Sequence, residues 1–195
     1  MIIAITGGIG SGKSYVCRHL TSRGFDIYDC DAAAKRIMRT SPRVRRRLTD
    51  LIGDEAYLDD GTLNKAAVAR FLLSSEDNQR SINAIVHPAV AEDFAAWQPA
   101  EGKAQDKVME CALLFESGFD RLVDTTVCVT APTETRVDRI MRRDGLTRAK
   151  ALEWIARQMP QDEVAARCDY VIVNDTTADI NSQIDTLIKK IRDKR

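Results

Sequence analysis

Short apolar runs alternate with helix-like stretches along most of the chain. Most of these runs are continuously apolar, which is typical of parallel strands that are covered on both faces. Because helical periodicity separates most of them, the order of elements predicts an α/β sandwich built around a five-stranded parallel sheet. The runs predicted as strands are residues 2–6, 26–28, 108–112, 126–130 and 170–173.

The stretch between the second and third runs breaks this alternation. About 75 residues there have helical periodicity and no strong strand signal. Pro42 suits the start of a helix, and Asp59-Asp60-Gly61 is predicted to be a turn. The sequence therefore predicts an all-helical insert at the carboxyl edge of the sheet, where open α/β sheets bind ligands. Residues 100–103 are predicted to be the loop that returns to the core.

Helical patterns also fill most of the second half of the chain. Pro132 is predicted to open one helix, and residues 146–159 are predicted to form another that ends at Pro160. Residues 180–191 carry an amphipathic stripe, so we expect this last helix to pack on the sheet.

One motif carries clear chemistry. Residues 7–14 complete the pattern G-x-x-x-x-G-K-S directly after the first apolar run. Its four glycines let the backbone turn tightly and aim N–H groups at one point, which forms an anion cradle at a helix N-terminus. Lys13 would reach the β- and γ-phosphates, and the Ser14 hydroxyl would bind Mg²⁺. The alternative is a glycine-rich turn without a ligand, but such a turn does not need Lys-Ser after its last glycine.

Composition excludes several classes of protein. The 195 residues include 29 basic and 29 acidic side chains, so the balance of charge gives no reason to expect a nucleic-acid or anionic-membrane partner. No apolar stretch approaches the roughly 20 residues that span a bilayer. The first apolar run has no basic region before it, so we expect no signal peptide and a cytoplasmic protein. The five dispersed cysteines and two distant histidines disfavour a zinc site.

The G-x-x-x-x-G-K-S motif occurs in nucleotide-dependent switches, motors, transporters and kinases, so by itself it does not identify the reaction. The guanine-reading N-K-x-D pattern, a D-x-x-G after the third strand and the L-S-G-G-Q signature are all missing. These absences favour a kinase that acts on a small molecule. Two alternatives stay open: a kinase for a nucleoside, nucleotide or other small alcohol, and a non-catalytic module that uses the loop as a nucleotide-dependent switch.

Acidic residues lie at the carboxyl ends of two of the predicted strands. Asp29 and Asp31 lie at the end of the second strand, where alternation would point both side chains the same way. One of these carboxylates could accept the proton of an attacking hydroxyl, and Glu110 could support the hydrated Mg²⁺. The plainer alternative is that Asp29 or Asp31 caps a helix that begins at Ala32.

Three arginines lie on the helix after Pro132. Arg139 and Arg143 share a face, and Arg142 neighbours Arg139. A closing arginine stabilises the charge that phosphoryl transfer spreads over the equatorial oxygens. The alternative is a solvated basic face that pairs with Asp138 or Asp144.

The chain resembles the dephospho-coenzyme A kinase family nearly from end to end. The order of the motifs makes this resemblance specific. The segments that carry it are T-G-G-I-G-S-G-K-S at 6–14, D-x-D at 29–31, D-G-T-L-N at 60–64, N-A-I-V-H-P at 83–88, L-L-F-E at 113–116, R-x-M-x-R-D at 139–144, Gln158, and D-Y-V-I at 169–172.

The resemblance implies a role for individual residues. Asp31 matches the general base that activates the ribose 3′-hydroxyl of dephospho-coenzyme A, and Arg139 matches the lid arginine that braces the transferring phosphoryl group. His87 and Leu114 are expected to join Asp31 on the substrate side, although His87 could instead be a core histidine. The residues expected to bind ATP and Mg²⁺ are Gly8, Ile9, Gly10, Ser11, Gly12, Lys13, Ser14, Tyr15, Arg143 and Asn174, with Ser14 as the metal ligand.

The family pattern also implies the architecture and the partners. It implies a P-loop NTPase-type three-layer sandwich in a single domain, 1–195. We expect a nucleotide-binding core of about 1–31, 104–136 and 168–195. We expect a coenzyme A-binding helical insert of about 32–103 and a lid of about 137–167. ATP and dephospho-coenzyme A are the expected small-molecule partners, with no nucleic acid, membrane or obligate protein partner.

Some positions depart from the family pattern. Tyr15 replaces a usual threonine, Glu110 an aspartate, and Ala112 a proline before Leu-Leu. Val173 replaces a common aspartate, which puts an adenine contact there in doubt, and Lys35 replaces an arginine and loses its bidentate fork.

Overall fold

The protein is represented by a computed structural model that describes residues 1–97 and 106–193. The loop predicted at 100–103 lies outside the described residues. The chain forms two compact units, one of residues 1–28 with the chain after Trp97, and one of residues 29–97. In the described part of the chain, no helix combines the length and the apolar character needed to cross a membrane.

Five strands of the described chain form one sheet, in the order β2-β3-β1-β4-β5. This confirms the predicted α/β fold with a five-stranded parallel sheet, and the bounds differ from the prediction by two residues at most. The third strand ends at Glu110, two residues earlier than predicted. The strands are β1 (Ile2–Thr6), β2 (Ile27–Asp29), β3 (Lys107–Glu110), β4 (Thr125–Thr130) and β5 (Tyr170–Val173).

The register of the sheet places the functional loops. In the parallel pairing of β1 with its neighbours, Ile5 lies beside Glu110 on one side and beside Val127 on the other. The segment that leaves Thr6 at the end of β1 therefore starts at the same edge as Glu110 and the end of β4. Parallel strands bring these carboxyl ends together because all of them point the same way.

Helices pack on this sheet through one continuous apolar core. Helix α1 (Lys13–Thr21) follows β1, and the last helix of the described residues, α9 (Ile180–Asp193), packs against α1 and β5. The buried positions of both helices repeat at helical spacing, so each helix turns one apolar stripe to the strands. This core consists of Ile3, Ile5, Val16, Cys17, Leu20, Phe25, Val108, Val127, Val129, Ile172, Ile180, Ile184, Leu187 and Ile191.

Three helices lie between β4 and β5, where the sequence predicted two. They are α6 (Thr133–Asp144), α7 (Arg148–Ala156) and α8 (Gln161–Arg167), and Pro132 precedes α6 as predicted. The predicted helix over 146–159 is shorter at both ends. Residues of α6 and α7 form a small separate cluster, which consists of Val137, Ile140 and Ala151 with Ile9, Leu146 and Ile155 packed against it.

The unit of residues 29–97 is helical, as its periodicity predicts. Its helices are α2 (Cys30–Thr40), α3 (Pro42–Ile52), α4 (Lys65–Ser74) and α5 (Glu76–Ala96). Each helix begins after a side chain that accepts a backbone N–H of its first turn, which satisfies one of the unpaired donors there. These capping residues are Asp29, Ser41, Asn64 and Ser75. Val44 and Leu48 of α3 and Val90 of α5 are fully buried, so these faces form the unit's own core.

We expect the substitution Ile184→Ala to lower the free energy of unfolding by about 2–5 kcal/mol, because it leaves a cavity in a close-packed core. Ile184 is 0% exposed on the stripe of α9. Thr186→Ala changes an exposed residue of the same helix and should stay within about 0.5 kcal/mol of the parent. Urea unfolding of both variants measures the difference. Equal stabilities would show that α9 is not part of the cooperative core.

Candidate functional site

The glycine-rich segment of residues 7–12 connects β1 to α1 through a backbone path that requires glycine. Gly10 has φ +78° and Gly12 has φ +94°, in the left-handed region that L side chains rarely adopt. A Cβ at Gly10 would come within 2.7 Å of the Arg136 carbonyl oxygen, and one at Gly12 would collide with the Asn174 amide nitrogen. The loop is thus enclosed by neighbouring elements as well as tightly turned.

The carbonyl groups of this loop accept hydrogen bonds from outside it. Arg139 Nη1 donates to the carbonyls of Gly10 (3.2 Å) and Ser11 (3.1 Å), and Asn174 Nδ2 donates to Ser11 (2.8 Å). In a trans peptide the C=O and the following N–H point in opposite directions. The N–H of Gly12 therefore faces the side opposite Arg139, at the N-terminus of α1. An inward N–H at a helix N-terminus favours a bound anion.

Lys13 brings a positive charge over the loop. Its ammonium Nζ lies 2.8 Å from the Gly7 carbonyl oxygen and 3.4 Å from that of Gly8. The lysine side chain thus spans the loop from the first turn of α1 back to the loop's first residues. This position lets an ammonium move between backbone carbonyls and an incoming phosphate.

Ser14 and Glu110 bring two side-chain oxygen groups together beside the loop. The Ser14 hydroxyl donates a 2.7 Å hydrogen bond to Glu110 Oε1. A hydroxyl and a carboxylate fit Mg²⁺, which is usually held by one or two protein oxygens together with water and substrate phosphates. The structure therefore brings together Ser14, the predicted metal ligand, and Glu110, the predicted supporting carboxylate.

Arg139 and Asn174, two predicted site residues, also contact each other. Arg139 Nη2 donates to the Asn174 carbonyl at 3.0 Å, and the Asn174 backbone N–H donates to Thr130 at the end of β4. Asn174 is only 5% exposed, so its side-chain amide links β5 to the phosphate loop rather than facing solvent. One guanidinium thereby connects α6, the loop and the residue after β5.

Arg143 has a different environment. Its Nε and Nη2 donate to the two carboxylate oxygens of Asp144 at 2.9 and 2.8 Å. This fork lowers the pKa of Asp144 and raises that of Arg143. The sequence analysis left two possibilities for this arginine, phosphate binding or an ion pair with a neighbouring aspartate on a solvated face, and the structure shows the ion pair with Asp144. Nucleotide binding by Arg143 stays a prediction.

The structure adds two loop contacts that the sequence analysis did not assign. Arg136 is 4% exposed, and its Nε donates to the Ile9 carbonyl at 2.9 Å. Burial lowers the pKa of Arg136. Gln158 Oε1 accepts the Ile9 N–H at 2.7 Å. The sequence does hold one signal that Arg136 is buried. Arg136 lies beside Val137 and four residues before Ile140, on the apolar face of α6.

Asp29 and Asp31 do not lie on one extended segment, so the prediction that alternation points both side chains the same way is wrong. Helix α2 begins at Cys30, and Asp29 is its N-cap, with Oδ1 accepting the Ala32 N–H at 3.0 Å. Asp31 lies in the first turn of α2 and is exposed. The helix begins at Cys30, earlier than predicted, because the Asp29 carboxylate accepts the Ala32 N–H, which would otherwise be an unpaired donor in the first turn.

Three further predicted residues have contrasting surroundings. His87 lies in α5 and is half-buried, and burial lowers its pKa, which favours the neutral imidazole. Leu114 is 0% exposed, and its carbonyl accepts from the Phe119 N–H, so its side chain packs in the turn after β3. Tyr15 is 41% exposed, and its ring stands edge-on to His19 with centroids 4.6 Å apart.

Comparison with known proteins gives a consistent result. The sequence model of the family described as dephospho-CoA kinase matches residues 1–179. A dephospho-CoA kinase of Bacteroides fragilis is 40% identical over 186 residues, which cover 95% of this chain and 90% of the relative. The crystal structure of TT1252 from Thermus thermophilus is 32% identical with a TM-score of 0.82, over 97% of this chain and 96% of that one.

A second solved structure shares the fold. Dephospho-CoA kinase from Campylobacter jejuni has a TM-score of 0.69 at 21% identity, covering 97% of this chain and 96% of that one.

We expect Gly12→Ala to abolish Mg-nucleotide binding, because a methyl group there collides with Asn174 and forces the loop open. Gly24→Ala is the matched control, since Gly24 has φ +91° but nothing within 4 Å of a Cβ. Both variants share the left-handed strain of about 1–2 kcal/mol. Only Gly12→Ala should lose nucleotide binding in calorimetric titration. Comparable binding by the two variants would contradict the close packing of this loop.

Proposed function

The chain belongs to the dephospho-CoA kinase family, and on that premise we propose that it transfers the γ-phosphoryl group of ATP to the ribose 3′-hydroxyl of dephospho-coenzyme A. The products are coenzyme A and ADP, in the final step of coenzyme A biosynthesis. The observation that carries this proposal is the phosphate loop, with Lys13 over it and the Ser14–Glu110 pair beside it.

The loop supports the nucleotide half of the proposal. Its inward N–H at Gly12 and the N-terminus of α1 favour the negatively charged phosphates of ATP. On nucleotide binding, Lys13 would exchange the carbonyls of Gly7 and Gly8 for phosphate oxygens. Ser14 would hold Mg²⁺, with Glu110 orienting its water. The ion, when bound, neutralises charge on the β- and γ-phosphates.

Asp31 is the proposed general base. A carboxylate that accepts a hydrogen bond from a helix N–H is less available to accept the proton of the 3′-hydroxyl. Asp29 already caps α2, so the capping alternative does not apply to the Asp31 carboxylate. His87 and Leu114 stay predicted members of the substrate side. A neutral His87 would hydrogen-bond with the substrate rather than attract its phosphates by charge.

Arg139 is the proposed source of positive charge at the transferring group. In the structure the Arg139 guanidinium donates to the carbonyls of Gly10 and Ser11, on the side of the loop opposite the Gly12 N–H. The proposed role therefore requires this guanidinium to move to the phosphate side when the substrates bind. A guanidinium beside the equatorial oxygens would stabilise the negative charge that phosphoryl transfer spreads over them. The segment of about 139–159 is proposed to close over the substrates and exclude water that would hydrolyse ATP.

The proposed setting of the reaction follows from its substrates. ATP and dephospho-coenzyme A are small cytoplasmic metabolites, so we place the protein in the cytoplasm without a required protein partner. The rival is a kinase of the same fold that phosphorylates another small alcohol. Relatives named dephospho-CoA kinase at 38–40% identity favour dephospho-coenzyme A.

One assay tests the proposed reaction. Purified protein is incubated with Mg-ATP and a panel of acceptors that includes dephospho-coenzyme A, adenosine and shikimate. ADP release is followed, and phosphorus NMR locates the new phosphate. We expect turnover with dephospho-coenzyme A and phosphate on its 3′-oxygen. ADP release that does not depend on dephospho-coenzyme A would contradict the proposal.

We expect Asp31→Asn to lower turnover by about 10²–10⁴-fold, because the amide cannot accept the hydroxyl proton. Asp29→Asn makes the same chemical change two residues away. Asn caps helices as well as Asp does, so this control should keep its stability and nearly full turnover. Steady-state kinetics with both substrates saturating measures the difference. Full activity of Asp31→Asn would exclude it as the base.

A further inference from the structure

Ile9 is held at three points by the segment that follows β4, although the G-x-x-x-x-G-K-S pattern leaves its identity open. Its carbonyl accepts from Arg136 Nε, and its N–H donates to Gln158 Oε1. Its side chain packs against the α6–α7 cluster, which includes Val137 and Ala151. Loop residues of this kind usually have few such partners, because loops run over the surface.

The two hydrogen bonds at Ile9 set the direction of successive peptide groups. The Ile9 carbonyl points to Arg136, so the N–H of Gly10 points to the opposite side of the loop. The Ile9 N–H points to Gln158, so the Gly8 carbonyl points back into the loop, where it accepts from Ser11 N–H at 3.1 Å. Rotation of the peptide between Ile9 and Gly10 would turn the Ile9 carbonyl oxygen toward a bound phosphate. Rotation of the peptide between Gly8 and Ile9 would break the hydrogen bond that the Gly8 carbonyl accepts from Ser11 and so open the turn of the loop.

We propose that Gln158, together with Arg136, is a positioning residue for the phosphate loop: the two side chains hold the peptide groups on both sides of Ile9 in the orientation that nucleotide binding requires. The proposal rests on the proposed function only in that the loop binds a nucleotide. It gives a task to Gln158, which lies outside the loop and follows α7.

The position of Gln158 is itself fixed. Its backbone N–H donates to Ile155 at 3.3 Å, just after the last turn of α7, and Pro160 begins the turn into α8. On the other side, Gln161 Oε1 accepts the Ala131 N–H at 3.0 Å. Two glutamines of one short segment thus reach two different targets, the phosphate loop and the end of β4. This arrangement supplies a matched pair of variants.

We expect Gln158→Leu to weaken binding of ADP and of a non-hydrolysable Mg-ATP analogue about ten-fold. Without its acceptor the peptide before Ile9 rotates, and the apparent dissociation constant rises as the inverse of the fraction of loops that remain competent, so a ten-fold rise corresponds to about one competent loop in ten. Gln161→Leu removes an equivalent hydrogen bond from the same segment and should bind both nucleotides within two-fold of the parent. Calorimetric titration of the three proteins, without acceptor, measures this.

Kinetics and hydrogen exchange separate positioning from general stability. In Gln158→Leu the KM for ATP should rise about ten-fold, while kcat at saturating ATP and the KM for the acceptor change less than three-fold. The Ile9 amide should be protected from exchange in the parent and in Gln161→Leu, and should lose protection in Gln158→Leu. A variant that fails to fold does not affect the measurement of Ile9 exchange in the parent.

Three outcomes would overturn the proposal. These are parent-like nucleotide binding by Gln158→Leu, equal losses in the two glutamine variants, or an Ile9 amide in the parent that exchanges as fast as an unstructured one. Nucleotide binding by the parent without phosphorylation of dephospho-coenzyme A would contradict the proposed function alone.

Discussion

The direction of the peptide groups in the loop of residues 7–12 is the constraint on which the rest of the site depends. An anion site made of backbone N–H groups works only if the carbonyls of the same peptides point elsewhere and find donors there. Arg136, Arg139 and Asn174 supply those donors for Ile9, Gly10 and Ser11. The glycines permit this path, and the surrounding side chains select it from the other paths that glycine would allow.

This constraint explains why the site is assembled from distant parts of the chain. The loop leaves β1, but its carbonyls bond to α6 and to the residue after β5, and the Ser14 hydroxyl that follows the loop bonds to Glu110 at the end of β3. The strand order β2-β3-β1-β4-β5 places β1 between β3 and β4, so these contributions meet at one edge. The buried core under α1 and α9 holds that edge in place.

Residues of the same type that lie close together in the sequence have different hydrogen-bond partners in the structure. Arg139 and Arg143 lie one turn apart on α6, yet Arg139 bonds to the loop whereas Arg143 forks to Asp144. Asp29 and Asp31 are two residues apart, yet one caps a helix and the other leaves its carboxylate exposed. Residue type and spacing are similar in each pair, and the local partners differ.

The sequence by itself determined the strands, the helical character of residues 29–97, the phosphate loop and the family. Apolar periodicity and a glycine pattern are local properties that the chain carries whatever surrounds it. Only the tertiary structure decided where α2 begins and that Arg136 and Gln158 bond to Ile9. Those contacts join residues 127 and 149 positions apart, and a hydrogen bond between distant side chains and backbone leaves no periodic signal in one sequence.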